Sequence, residues 1–161
     1  LSGEQISLGG RILAAVDAGP DSSDVLAAAF ALADAWGSEV VALNVEPPQP
    51  IGELAQPRVE TMRRAEILTR AVSAAWSAQP ATAPSDPGAA AEAAGDVIVR
   101  QGEPVREILR AAHEERAELV VIGYRRGSST NRAVLGSVAS RILGRAGCAV
   151  LAVPLGTAGA A

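Results

Sequence analysis

Short, nearly continuous apolar runs alternate along this chain with longer stretches in which apolar residues recur every three or four positions. The runs are Arg11 to Asp17 (RILAAVD), Glu39 to Val45 (EVVALNV), Asp96 to Arg100 (DVIVR), Leu119 to Ile122, and Cys148 to Val153 (CAVLAV). They lack the in-out alternation of a half-exposed strand, so they read as strands buried on both faces, as in parallel sheets. The periodic stretches predict helices. Val25, Leu26, Ala29, Phe30, Leu32 and Ala33 define a first helix to about Trp36, with Asp21 or Ser22 as its N-cap and Gly37 as its stop. Val59, Met62, Ile67, Leu68, Val72 and Trp76 define a second over Arg58 to Ala78, with Arg63, Arg64, Glu66 and Arg70 on its wet side. Gly102-Glu103-Pro104 turns the chain into a third, where proline is tolerated in the first turn and Val105, Ile108, Leu109 and Ala112 form the buried stripe. A fourth runs from Gly136 to about Arg145.

Strands and helices thus alternate throughout. That order implies an α/β fold with an open parallel five-stranded sheet, helices on both faces and right-handed crossovers. Residues 1–10 read as a flexible lead-in, 11–154 as one domain, 79–95 as a Pro/Ala/Gly-biased flexible connection, and 155–161 as a tail beyond the stop at Pro154. A ligand in such a sheet belongs in the crevice at the carboxyl ends of the strands. Asp17, Val45 and Gly123 each stand at a strand end and can converge there.

Composition narrows the function classes. At 161 residues, 48% hydrophobic but only 2% aromatic, the chain must build its core from Ala, Val, Leu and Ile. Its 14 basic and 18 acidic residues give a net charge of −4, which argues against a nucleic-acid surface, and aromatics for base stacking are lacking. One cysteine, Cys148, rules out an internal disulfide framework and fits a reducing, cytoplasmic compartment. The longest apolar-looking run, Val25 to Ala33, is too short to span a membrane. Because the chain opens on Leu1, a removed segment or a larger parent protein stays open.

The stretch with the clearest chemistry is Glu118 to Ser140, ELVVIGYRRGSSTNRAVLGSVAS. A strand, a glycine-punctuated loop and Gly136-Ser137 at a helix start offer unpaired N–H groups and the positive end of the helix dipole to an anion. The stretch resembles the Gly-x2-Gly-x9-Gly-Ser/Thr motif of the universal stress protein family, aligned on Gly123 and Gly136-Ser137. At the second glycine stands Arg126, with Gly127 one residue later. RILAAVD, LNVEPP, Gly102-Glu103-Pro104 and CAVLAVP extend the resemblance over nearly the whole chain.

The resemblance implies a Rossmann-like sheet, similar to adenine nucleotide alpha hydrolases, of strand order 3-2-1-4-5. It also implies an adenine-nucleotide site binding ATP with Mg. In it Asp17 contacts adenine or ribose, the Val45 backbone meets the adenine edge, and Gly123 lies beside the ribose. Arg126 and Gly127 belong to the loop, and Gly136, Ser137 and Val138 supply N–H groups and a hydroxyl to phosphates. It implies a homodimer through Cys148 to Val153 and a regulatory role in stress response. The alternative is a dimeric interaction module that binds no nucleotide, as when the Arg126 side chain narrows the pocket, and that is excised from a larger protein.

Each candidate also has a plainer reading. Asp17 can cap the turn after its strand, and Ser128, Ser129 and Thr130 can be polar loop residues as readily as phosphate acceptors. Arg125 and Arg126 can fork a phosphate, but the plainer reading is that a bulky side chain at the glycine position narrows the pocket or changes the path of the loop. His113 reads as solvated and Cys148 as buried and inert. With no nucleophile elbow, no triad histidine beside it and no G-x-x-x-x-G-K-[ST] loop, the sequence assigns no catalytic residue, and at most weak ATP hydrolysis is conceivable.

Overall fold

The computed structural model describes residues 10–17, 19–48, 57–78, 95–125 and 136–156. They form β1 (Arg11–Ala15), α1 (Ser22–Trp36), β2 (Glu39–Glu46), α2 (Pro57–Ser77), β3 (Asp96–Gln101), α3 (Pro104–Glu114), β4 (Ala117–Arg125), α4 (Ser137–Arg145) and β5 (Ala149–Leu155). All strand pairs are parallel, in one five-stranded sheet of order β3-β2-β1-β4-β5. Both the α/β architecture and the strand order expected from the sequence are therefore observed. The expected lead-in, the connection over 79–94 and the last residues of the tail lie outside the described residues.

Burial on two faces explains the continuous apolar runs. In β1, Ile12 and Ala14 point to one face, where they pack with Val40, Ala42 and Val121 beneath α1 and α2. Leu13 points to the other and meets Val41, Leu43 and Val120 beneath α3 and α4. The buried polar exception in mid-strand is Asn44 of β2, whose Nδ2 donates to the Val16 carbonyl at 2.8 Å. Among the described residues the fully buried core is aliphatic apart from Phe30 of α1, against which the partly buried Trp76 of α2 packs. Their rings meet edge-on at 5.4 Å and 68°, a geometry that adds about 1 kcal/mol to their burial.

Helix boundaries follow local chemistry. Gly37 ends α1 at φ 66, where its N–H donates to the Ala33 carbonyl and a side chain would be strained. Glu103 begins α3 by accepting the Arg106 N–H at 2.8 Å, with Pro104 in the first turn. Asp21 occupies the N-cap of α1 as expected, yet its carboxylate makes no capping hydrogen bond. Instead Ser22 Oγ donates to the Gly19 carbonyl at 2.8 Å.

Four expectations are corrected. β1 stops at Ala15 and not at Asp17, because after the Val16 N–H reaches the Leu43 carbonyl at 2.9 Å the chain turns away. β4 is longer than Leu119 to Ile122. Gly123 does not end it but pairs with Val153, and Arg125 pairs with Leu155. Pro154 likewise sits inside β5, opposite Tyr124. At a sheet edge one row of backbone groups needs no partner, so proline's missing N–H does no harm.

The fourth correction concerns α2. Its buried stripe is Leu68, Val72 and Ala75, whereas Val59, Met62 and Ile67 are 58%, 73% and 40% exposed. Arg64, expected on the wet side, stands four residues before Leu68 and so shares its inner face. There it meets Glu46, whose side chain is only 7% exposed.

Candidate functional site

The crevice arises because the middle strand is short at its carboxyl end. Ala15, the last residue of β1, pairs with Leu43 on one side and Ile122 on the other, and β2 and β4 then continue to Glu46 and Arg125. The gap falls where neighbouring strands leave β1 in opposite directions, the topological switch point of the sheet. It holds about 270 Å³. Its floor is apolar, with Ala15, Val16, Leu43 and Ile122 from the sheet, Val25 from α1 and Ile108 from α3. Asp17, Asp21 and Ser22 give it a polar rim.

Of the residues singled out from sequence, Asp17, Val45, Gly123 and Val138 line this one crevice. Asp17 Oδ1 accepts the Gly19 N–H at 3.0 Å, so this carboxylate does hold the turn while remaining exposed on the rim. At Gly123 an added Cβ would come within 2.7 Å of Leu155 Cδ1; the glycine is needed for the close approach of β5's end. Gly136 and Ser137 begin α4 just before Val138 but do not themselves line the cavity. Gly136 makes no side-chain cap, and no described atom lies within 4 Å of where its Cβ would be. A helix start leaves its first N–H groups without partners inside the helix, the arrangement that suits an anion. Arg126, Gly127 and Ser128 to Thr130 lie outside the described residues.

Arg125 lies at the tip of β4, where its Nη2 donates to Asp21 Oδ2 at 2.5 Å. His113 is exposed, as expected. Cys148 is half-buried and precedes β5 by one residue, so it neither opens the strand nor is fully buried. Burial pushes its thiol above the ordinary range, which opposes a nucleophilic role. Among the described residues no group of three or more His, Cys, Asp or Glu could hold a metal ion. Nor, among them, is any helix long and apolar enough to cross a membrane.

Residues 10–154 match the sequence model of the universal stress protein family. The chain belongs to this family. A universal stress protein of Thermus aquaticus, encoded in the 3' region of a QAH/OAS sulfhydrylase, is 32% identical over 142 residues, 88% of this chain and 96% of that one. A universal stress protein solved in complex with cAMP superposes with a TM-score of 0.57 at 23% identity, covering 90% of this chain and 96% of that one. The Archaeoglobus fulgidus universal stress protein in complex with dAMP gives 0.54 at 20% identity, covering 89% and 96%.

Membership of the universal stress proteins did not by itself point to Asp21, Ser22, Ile108 or Leu155, which also line the crevice. Asp21 and Ser22 had a signal: they start the helix that follows the central strand, so they must stand over that strand's end. Leu155 had none, because Pro154 reads as a stop in sequence and only pairing with Arg125 shows that the strand continues.

Proposed function

We propose that the crevice binds an adenine nucleotide and that the domain is a regulatory module whose state follows that nucleotide. What carries this reading is the convergence of Asp17, Val45, Gly123 and Val138 on one apolar crevice at the switch point, in a family of which two structurally similar proteins were solved with cAMP and dAMP. The fit is chemical: an apolar floor suits a purine, Asp17 on the rim suits ribose hydroxyls, and the start of α4 at Gly136, Ser137 and Val138 suits phosphate. ATP is the fullest ligand this reading admits, and Mg²⁺ would come with it and would offset the charge of its phosphates. In the same reading the protein acts in a cytoplasmic stress response as a homodimer paired along β5, an apolar edge that a second copy would cover.

Calorimetric titration with ATP and Mg²⁺, alongside ADP, AMP and cAMP, tests the proposal, after a heated sample has been checked for carried-over ligand. Micromolar binding that weakens on changing Asp17 or Ser137 supports it. No heat and no released nucleotide overturn it in favour of the second reading, an interaction module whose loop carries Arg126 where the family has glycine.

A further inference from the structure

The ion pair between Asp21 and Arg125 ties the rim of the crevice to the tip of β4. Asp21 lies at the start of α1 and lines the cavity. Arg125 is the last residue of β4, beyond the point where β1 has ended. Strand alternation from Val121, which packs beneath α1, through Gly123 puts Arg125 on the α1 side of the sheet. Its Nη2 reaches Asp21 Oδ2 at 2.5 Å, with side chains 74% and 22% exposed respectively.

The Asp21 carboxylate has no second task among the described residues. It sits at an N-cap position where such a side chain ordinarily accepts a helix N–H, and it makes no such bond. Its recorded partner is Arg125. A contact this exposed contributes little to stability. A guanidinium that holds a carboxylate offers the same fork to a phosphate.

We propose that Asp21 and Arg125 form an exchangeable latch: when a nucleotide enters, Arg125 releases the Asp21 carboxylate and takes the ligand's phosphate, so the pair selects phosphorylated ligands over nucleosides. This rests on the proposed nucleotide site and specifies which part of the ligand the site reads. The exchange is inexpensive, because the freed carboxylate is open enough to regain water. Phosphate gains from the positive ends of α1 and α4 as well as from the guanidinium. Adenosine offers nothing to trade, so it leaves the latch shut and gains nothing from Arg125.

The test is a calorimetric comparison of AMP and adenosine on four proteins: wild type, Arg125→Met, Asp21→Asn and the double variant, each first checked for an unchanged thermal transition. Wild type is expected to prefer AMP about five- to tenfold, the size of one partly solvated charge-assisted contact. Arg125→Met should abolish that preference by weakening AMP alone. Asp21→Asn should tighten AMP several-fold with adenosine unchanged, and this gain should vanish when Met replaces Arg125. An AMP preference that survives Arg125→Met overturns the latch and leaves the nucleotide site standing. So does a gain from Asp21→Asn of equal size in both backgrounds, which would be plain repulsion between Asp21 and phosphate. Absence of binding by either ligand to all four proteins removes the site, and the latch with it.

Discussion

Arg64 Nε lies 2.9 Å from Oε1 of Glu46, a carboxylate that keeps 7% of its side-chain surface in contact with solvent. Neither atom has an aligned hydrogen bond, so the contact works by charge proximity more than by directed bonding. Arg64→Met would leave the Glu46 charge without its close counter-ion and is expected to cost about 2 to 3 kcal/mol. That is somewhat less than for a fully buried pair, because Arg64 itself is 33% exposed. The double variant Glu46→Leu with Arg64→Met should recover much of that loss. Urea unfolding followed by tryptophan fluorescence measures both; additive losses would show that the two side chains do not depend on each other.

Gly123→Ala places a methyl group against Leu155, whose Cδ1 would lie 2.7 Å away. The end of a leucine side chain can move, so the expected loss is about 1 kcal/mol. Because Leu155 also lines the crevice, its displacement should weaken nucleotide binding as well. Adding Leu155→Ala should relieve the crowding and restore binding, even though it removes apolar packing. If binding to Gly123→Ala equals wild type, Leu155 has room to move elsewhere.

Acid should expose the part played by Glu103. Its carboxyl is held below the ordinary value of 4.5, first by the Arg106 N–H and further by the charge of Arg141, whose Nη1 lies 3.0 Å away. A lowered folded pKa means that the fold favours the charged form. The stabilisation is complete above the ordinary value and is lost as pH falls through the lower, folded one. Glu103→Gln keeps an acceptor for the helix and removes the charge. It should therefore melt below wild type at neutral pH, with the gap closing in acid; a gap independent of pH would assign the loss to geometry.

Leu151, in the middle of the edge strand β5, is 36% exposed. If a second copy covers this edge, Leu151→Asp or Leu151→Pro should give monomers by light scattering. The same mass for variant and wild type would place any self-association elsewhere.

The sheet was legible because strands buried on both faces cannot hide: their apolar runs have no alternation, and helices must separate parallel neighbours. Strand ends were less legible. Gly123 and Pro154 are strand breakers by local preference, yet each is paired in the sheet, glycine because Leu155 needs the space and proline because the edge asks for no donor there. Arg64 was misplaced for a different reason. Charge assigns a side chain to water, and only a carboxylate contributed by another element, Glu46, reverses that assignment. The crevice was legible as strand ends at a switch point, which gave Asp17, Val45 and Gly123. The contact between Arg125 and Asp21 joins residues 104 apart in sequence and has no local pattern to announce it.

The position of β1 also has a consequence for the order of assembly. On one side it pairs with β2, Arg11 opposite Glu39, and on the other with β4, Arg11 opposite Ala117. The first pairing closes a short loop within a βαβ unit; the second closes one several times longer and carries the greater entropy cost. We expect the early half to gather around β1 first and the arrival of β4 to limit the refolding rate. Val40→Ala, on the early partner, should then mainly slow refolding, whereas Val121→Ala, on the late one, should mainly speed unfolding.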